Sequence, residues 1–159
     1  MTLLDKEPVK RAEEALKKFD SNQKVIILES SAKTAAEAAS SLSCEIGAIV
    51  KSLLFKTEKS YVLCLVSGDQ KASLNKIKKI LNIKDLSMAK AEDVKNITGY
   101  TIGGVSPIGH LSDIPIIIDG TLNRFKYLFA AAGHPNCVFK TKFEDLKKLT
   151  NGSIKEIAE

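Results

Sequence analysis

Ile49-Val50-Lys51-Ser52-Leu53-Leu54-Phe55-Lys56, the polar link Thr57-Glu58-Lys59-Ser60, and Tyr61-Val62-Leu63-Cys64-Leu65-Val66 decide the fold class. Two short apolar runs joined by a short polar segment read as paired antiparallel strands, a hairpin. On the first strand, alternation puts Lys51 on the face of Ile49, Leu53 and Phe55. The opposite face, Val50, Ser52 and Leu54, is also mostly apolar.

Before the hairpin, Pro8 to Phe19 reads as a helix, because proline suits its first turn and Val9, Ala12, Leu16 and Phe19 recur at helical spacing. Lys24 to Glu29 reads as a strand. Thr34 and Glu37 form a capping-box pattern that opens a helix with Ala35, Ala38, Ala39 and Leu42 on one side. After the hairpin, helical spacing returns with Leu74, Ile77, Ile80 and Leu81, then with Ala91, Val94 and Ile97, and Gly99 is a stop signal. Strands are expected at Pro115 to Asp119, Tyr127 to Ala131 and Cys137 to Lys140. A last helix carries Phe143, Leu146 and Leu149 and closes at Asn151-Gly152; Ser153 to Ala158 is expected to add an edge strand. Strands and helices are interspersed without strict alternation, which argues against a doubly wound parallel sheet. The expected architecture is α+β, a mixed and partly barrel-like sheet with flanking helices.

The chain has 159 residues, 44% hydrophobic and 27% charged, enough for one core without disulfide or metal staples, so residues 1–159 are expected to form a single domain. No signal-peptide pattern opens the chain, and apolar stretches such as Tyr61 to Val66 fall far short of the roughly 18–20 residues of a membrane helix. Cys44, Cys64 and Cys137 are odd in number and widely spaced, which suits a reducing compartment. A cytoplasmic protein with no membrane partner is expected. The net charge of +5 favours a polyanionic partner through counterion release, although a lysine-rich surface also serves solubility.

Lys51 is the most informative single position. An ammonium group in an apolar strand carries a desolvation cost of several kcal/mol unless an anion meets it or its stem snorkels to water. The second feature is Gly103-Gly104-Val105-Ser106-Pro107-Ile108-Gly109, too rich in glycine and proline for a regular element. Glycines let backbone approach a ligand closely, free amides there can cradle a developing oxyanion, and Pro107 stiffens the segment. It lacks the Gly-Lys-Ser/Thr ending of a phosphate-binding P-loop, and it equally suits a bare turn. Third comes Ala130-Ala131-Ala132-Gly133-His134-Pro135-Asn136, with small residues that leave room for a pocket wall and a histidine where the chain turns. His134 and Cys137 have a ligand-like spacing, but a structural zinc would need two more ligands, so no metal and no cofactor are expected. No Gly-x-Ser-x-Gly elbow appears. The runs Lys76-Ile77-Lys78-Lys79 and Lys147-Lys148 are solvated helix faces or contacts for RNA phosphates.

Taken in order, Thr34 to Ala39, Ile49 to Phe55, Gly103 to His110 and Ala132-Gly133-His134-Pro135-Asn136 resemble the YbaK/prolyl-tRNA editing family, also called the aminoacyl-tRNA synthetase-associated domain. The resemblance implies metal-free hydrolysis of the ester of misacylated tRNA, with the acceptor end as partner, an aminoacyl-tRNA synthetase as a further candidate partner and no DNA. It makes Lys51 the family lysine, holding the 3′-terminal phosphate, and the stretch from Gly103 to Pro107 the family Gly-x-x-x-Pro loop. Backbone amides at Gly103 and Gly104 would orient the carbonyl, while Val105, Ser106, Pro107, Gly133 and His134 would contact substrate. Cysteinyl-tRNA deacylases of this family carry a serine and an aspartate where this chain has Ala131 and Val138, which moves the expected substrate toward alanyl, seryl or a similar small group on a proline tRNA. A tRNA- or synthetase-docking module of the same fold without turnover, a cysteinyl-tRNA deacylase and a small-molecule esterase are the alternatives.

Overall fold

A computed structural model describes residues 2–30 and 32–159. Its elements in chain order are α1 (Glu7–Phe19), β1 (Ile26–Ile27), α2 (Ala35–Leu42), β2 (Ile49–Lys56), β3 (Tyr61–Ser67), α3 (Leu74–Leu81), β4 (Ser87–Met88), α4 (Ala91–Thr98), β5 (Ile116–Asp119), β6 (Leu128–His134), β7 (Cys137–Thr141), α5 (Phe143–Thr150) and β8 (Ser153–Lys155). The strands make one mixed sheet of eight, in the order β1-β7-β6-β2-β3-β5-β8, with β4 added to β2. The two ends of that path do not pair, so the curved sheet stays open rather than closing into a barrel.

The hairpin forms the middle of this sheet. β2 and β3 pair antiparallel from Val50 opposite Ser67 to Lys56 opposite Tyr61. The outer connections differ, since β6 joins β2 in parallel and β5 joins β3 in parallel, which is what makes the sheet mixed. On one face α1 lays Val9, Ala12 and Leu16 against Leu63, Leu65, Leu128 and Phe139. On the other, Ile77 of α3 covers Phe55, Cys64, Val66 and Ile117, and Ala38 of α2 packs with Leu28 and Val138. At roughly 25 cal/mol per Å² of apolar area removed from water, these faces are the main source of stability.

Local chemistry sets the element ends. Thr34 accepts a hydrogen bond from the Glu37 N–H and opens α2, as the capping pattern predicts. Gly99 in a left-handed conformation ends α4, while Asn82 and Asn151 do the same for α3 and α5. Three strand expectations change in extent, the first being the edge strand expected over Ser153 to Ala158, which is Ser153–Lys155. The strand expected over Lys24 to Glu29 forms a ladder with β7 only at Ile26–Ile27; past it, the Leu28 N–H donates to the Asn136 carbonyl at 2.7 Å, in the turn that precedes β7. β6 runs on to His134, past the expected Ala131, through an irregularity between Ala131 and His134.

Candidate active site

A mainly apolar cavity lies at a break in the sheet. β2 pairs with β6 only at Ile49 and Val50, and with β4 only at Phe55 and Lys56, where the Ala89 N–H also reaches the Leu54 carbonyl at 3.0 Å. Along that edge, residues 51–54 have no strand partner, and Leu54 is met only through that Ala89 bond. Peptide groups alternate between the two edges of a strand, and Leu54 directs its carbonyl to this one. Ser52 therefore turns its own N–H and C=O into the break. The cavity measures about 360 Å³ and is roofed by Ala35 and Ala38 of α2. Its walls are mainly apolar; among the described residues Lys33 and Lys51 are its charged lining residues and no carboxylate lines it.

Lys51 is half-buried, and its Nζ donates to the carbonyl of Gln70 in the turn after β3. Burial, with Lys71 adding repulsion, holds its pKa below the ordinary lysine value, while the carboxylate of Asp69 works in the other direction. One carbonyl leaves the ammonium with donors to spare for an anion. The neighbouring Ser52 Oγ is buried and has no hydrogen-bond partner. No local sequence signal distinguishes that hydroxyl, since serine in a strand is ordinary.

The glycine-rich segment meets the cavity at one end. Ile102, Gly103 and Val105 line it, and Gly103 has φ +93°, a backbone that favours glycine. Gly104 is different. Its N–H donates to the Thr101 carbonyl at 2.9 Å and its carbonyl accepts from Gly133 at 3.0 Å. A Cβ on Gly104 would lie 2.9 Å from the backbone nitrogen of His134, so this glycine serves close packing on β6. Gly133, at φ +91°, would drive a Cβ to 2.6 Å from the Pro8 carbonyl carbon and so lets the start of α1 lie close on the antiparallel hairpin of β6 and β7. Ser106 and Pro107 are buried behind the loop, away from the cavity lining.

What holds the loop is a set of contacts that lie far apart in sequence. Arg11 Nε donates to the Gly109 carbonyl at 2.7 Å, one of its terminal nitrogens to Gly99 at 2.8 Å, and its guanidinium lies 4.6 Å from the Tyr100 ring centre. Tyr100 donates its hydroxyl to Ile108 at 2.8 Å, and His110 Nε2 is 2.6 Å from the Ser106 carbonyl, where it must donate. Burial lowers the His110 pKa, which favours the neutral ring.

His134 is not among the cavity-lining residues; Pro135 takes that place. Its Nδ1 accepts from the Asn136 N–H at 3.0 Å, and Asn136 in turn ties the hairpin tip to the carbonyls of Leu28 and Ser30. Burial first and Lys6 second push the His134 pKa down. Ala131 and Val138 face each other across the hairpin, and both line the cavity beside Phe129. Cys137, the other half of the ligand-like pair, is buried, and its thiol is pushed up by burial; the Cys64 thiol is pushed up to about 12. Among the described residues, no three His, Cys, Asp or Glu side chains come together as a metal site. Among the described residues, no helix is long and apolar enough to cross a membrane.

Over residues 29–149 the chain matches the family model described as "Aminoacyl-tRNA editing domain". It is 29% identical over 157 residues to a proline–tRNA ligase of Caldicellulosiruptor bescii, an alignment that takes in 93% of this chain and 26% of that protein. The chain thus spans about a quarter of the length of that ligase. It is 30% identical over 125 residues to EbsC of Enterococcus faecalis, described as a candidate Cys-tRNA(Pro)/Cys-tRNA(Cys) deacylase, covering 78% of this chain and 76% of that one. The crystal structure of a candidate trans-editing enzyme for prolyl tRNA synthetase superposes with a TM-score of 0.92 at 35% identity, over 97% of this chain and 98% of the other.

Proposed function

The chain belongs to the aminoacyl-tRNA editing domain family, and from that premise we propose that it is an aminoacyl-tRNA deacylase that removes a small, wrongly attached amino acid from a proline tRNA charged at a separate ligase active site. The observation that carries this reading is that Lys51 and Gly103 border one mainly apolar cavity without a carboxylate.

In this reading the Lys51 ammonium meets the 3′-terminal phosphate and fixes the ester against the break in the sheet. The Gly103 N–H faces the ester carbonyl and stabilises the charge that develops as water adds to it. Gly104 is left out of that role because its N–H is already engaged by Thr101. Water adds to the carbonyl carbon, the bond from that carbon to the ribose oxygen breaks, and the ribose oxygen takes up a proton. Free amino acid and tRNA with an intact hydroxyl leave. Help with proton transfer falls to the terminal ribose hydroxyl or the substrate itself, since no acid and no histidine among the described residues lines the cavity.

The facing Ala131 and Val138 favour a small apolar side chain, with alanyl first and seryl second. A hydroxyl there finds no dedicated partner, and one added methylene or hydroxyl shifts such selection by only about 1–3 kcal/mol. Proline tRNA charged in turn with alanine, serine, cysteine and proline tests this. Alanyl-tRNA is expected to be hydrolysed fastest and prolyl-tRNA spared, and Lys51→Ala is expected to lose about 10²–10³ in kcat/KM with its Tm retained. Full activity in that variant removes Lys51 from the mechanism. Salt-sensitive tRNA binding with no hydrolysis of any charged species would instead favour a docking module.

A further inference from the structure

Outside the cavity, one cluster of charge has no internal counterpart. The ammonium groups of Lys140, Lys126 and Lys142 lie 4.0, 5.4 and 5.8 Å from the ring centre of Tyr127. All four side chains are exposed. None of the three lysines is in an ion pair among the described residues. Like charges gathered this closely repel, and the electron-rich face of the ring offsets that only in part. An anion would complete the arrangement.

The cluster also lies in register with the cavity. On β6, Ala131 and Phe129 line the cavity, and Tyr127 follows on the same alternation just before the strand begins. On β7, Val138 lines the cavity, Lys140 stands opposite Phe129, and Lys142 follows just after the strand ends. Two residues of strand advance about 7 Å, so the basic cluster is the next step along one sheet face beyond Phe129. By contrast Lys76, in a run that the sequence offers as an RNA contact, is already tied to Glu156 and to the Ala158 carbonyl.

We propose that Lys126, Lys140 and Lys142, gathered on Tyr127, form the docking surface for the phosphodiester strand of the RNA 3′ end that leads into the cavity. The proposal rests on the deacylase reading for its substrate and adds the path by which that substrate approaches. Contacts of this kind set position and affinity without reading sequence.

The test compares the unaltered chain with a triple variant, Lys126→Gln with Lys140→Gln and Lys142→Gln, and with a control of equal charge loss at exposed lysines that carry no proposed role, Lys59→Gln with Lys84→Gln and Lys155→Gln. Binding of an uncharged proline tRNA transcript is measured across a salt series, and kcat and KM are measured for misacylated tRNA and for a minimal aminoacyl-adenosine ester. In the first triple variant the slope of log K against log salt should fall by about 2, at about 0.7 for each lost single-strand phosphate contact. KM for tRNA should rise tenfold or more, with kcat, hydrolysis of the minimal ester and Tm unchanged. An unchanged slope and KM overturn the proposal, and so does an equal effect in the control triple, which would show only a general loss of charge. If the unaltered chain hydrolyses no ester, the deacylase reading fails by itself, while the binding slopes still decide the docking surface.

Discussion

At Lys51 a positive charge is kept in a strand whose neighbours are mostly apolar, and burial lowers its proton affinity. The folded chain therefore binds this proton more weakly than the unfolded chain does. The resulting penalty is in force below the depressed pKa and is relieved as pH climbs from there to the ordinary lysine value of 10.5. Activity runs the opposite way, since only the charged form attracts a phosphate. The alkaline fall of kcat/KM, measured after subtracting spontaneous ester hydrolysis, is expected at a lower pH than for a free lysine, and Lys51→Arg is expected to remove that fall. Ser52→Ala should leave Tm unchanged or raise it by about 2–4 °C, because it deletes a buried hydroxyl that has no partner among the described residues; a drop in Tm would mean that the hydroxyl is bonded in the folded protein. Ala131→Leu should fill the cavity, raising KM for alanyl-tRNA at least tenfold on a fold that survives. At this scale the sequence is readable where a residue type is unusual for its surroundings, as with a lysine in an oily strand or a glycine in a left-handed turn. It is silent where the role comes from a distant neighbour. Ser52 and Lys33 gain their places from the break in the sheet, and Pro135 rather than His134 lines the cavity wall.

Arg11 ties together two elements that lie nearly a hundred positions apart in the chain. From α1 it reaches the carbonyls of Gly99 and Gly109 and so brackets the loop that presents Gly103. Its side chain is only 18% exposed, so these charge-assisted bonds are worth more than a surface ion pair. Arg11→Ala is expected to cost about 2–3 kcal/mol in chemical denaturation and to lower kcat beyond what that loss explains. Lysine should rescue poorly, because a single ammonium cannot span both carbonyls. A variant with full kcat would show that the loop keeps its shape without the bracket. The helices themselves are legible from apolar spacing and caps, because those signals are contained within each segment. Short strands are not. β4 is two residues long and exists because Met88 and Ser87 meet Phe55 and Lys56, and β1 is cut short by the turn of its partner. Pairing of that kind is a tertiary fact that no local pattern carries.

Across the whole molecule the mixed sheet is fastened at its far edge by Asp119, which is fully buried at the end of β5. One of its oxygens accepts from the N–H groups of Ile157 and Ala158, at 2.8 and 3.1 Å, and the other from Thr121. Asp119→Ala strands those donors and is expected to cost about 3–4 kcal/mol, a Tm loss on the order of 10 °C, read by calorimetry. A loss below 1 kcal/mol would mean that the C-terminal segment is held mainly by Ile157. The expected α+β class follows from the antiparallel hairpin, while strand order and the open edges come from long-range pairing. The break between β6 and β4 has a consequence for how such a pocket diversifies. Its length is set by the ladder rungs at Val50 and Phe55, five residue steps or about 16 Å at roughly 3.3 Å per residue, and not by the side chains that furnish it. Descendants of this architecture are free to exchange the furnishings one methyl or hydroxyl at a time and so change what they accept, but a bulkier guest requires re-pairing of the backbone itself.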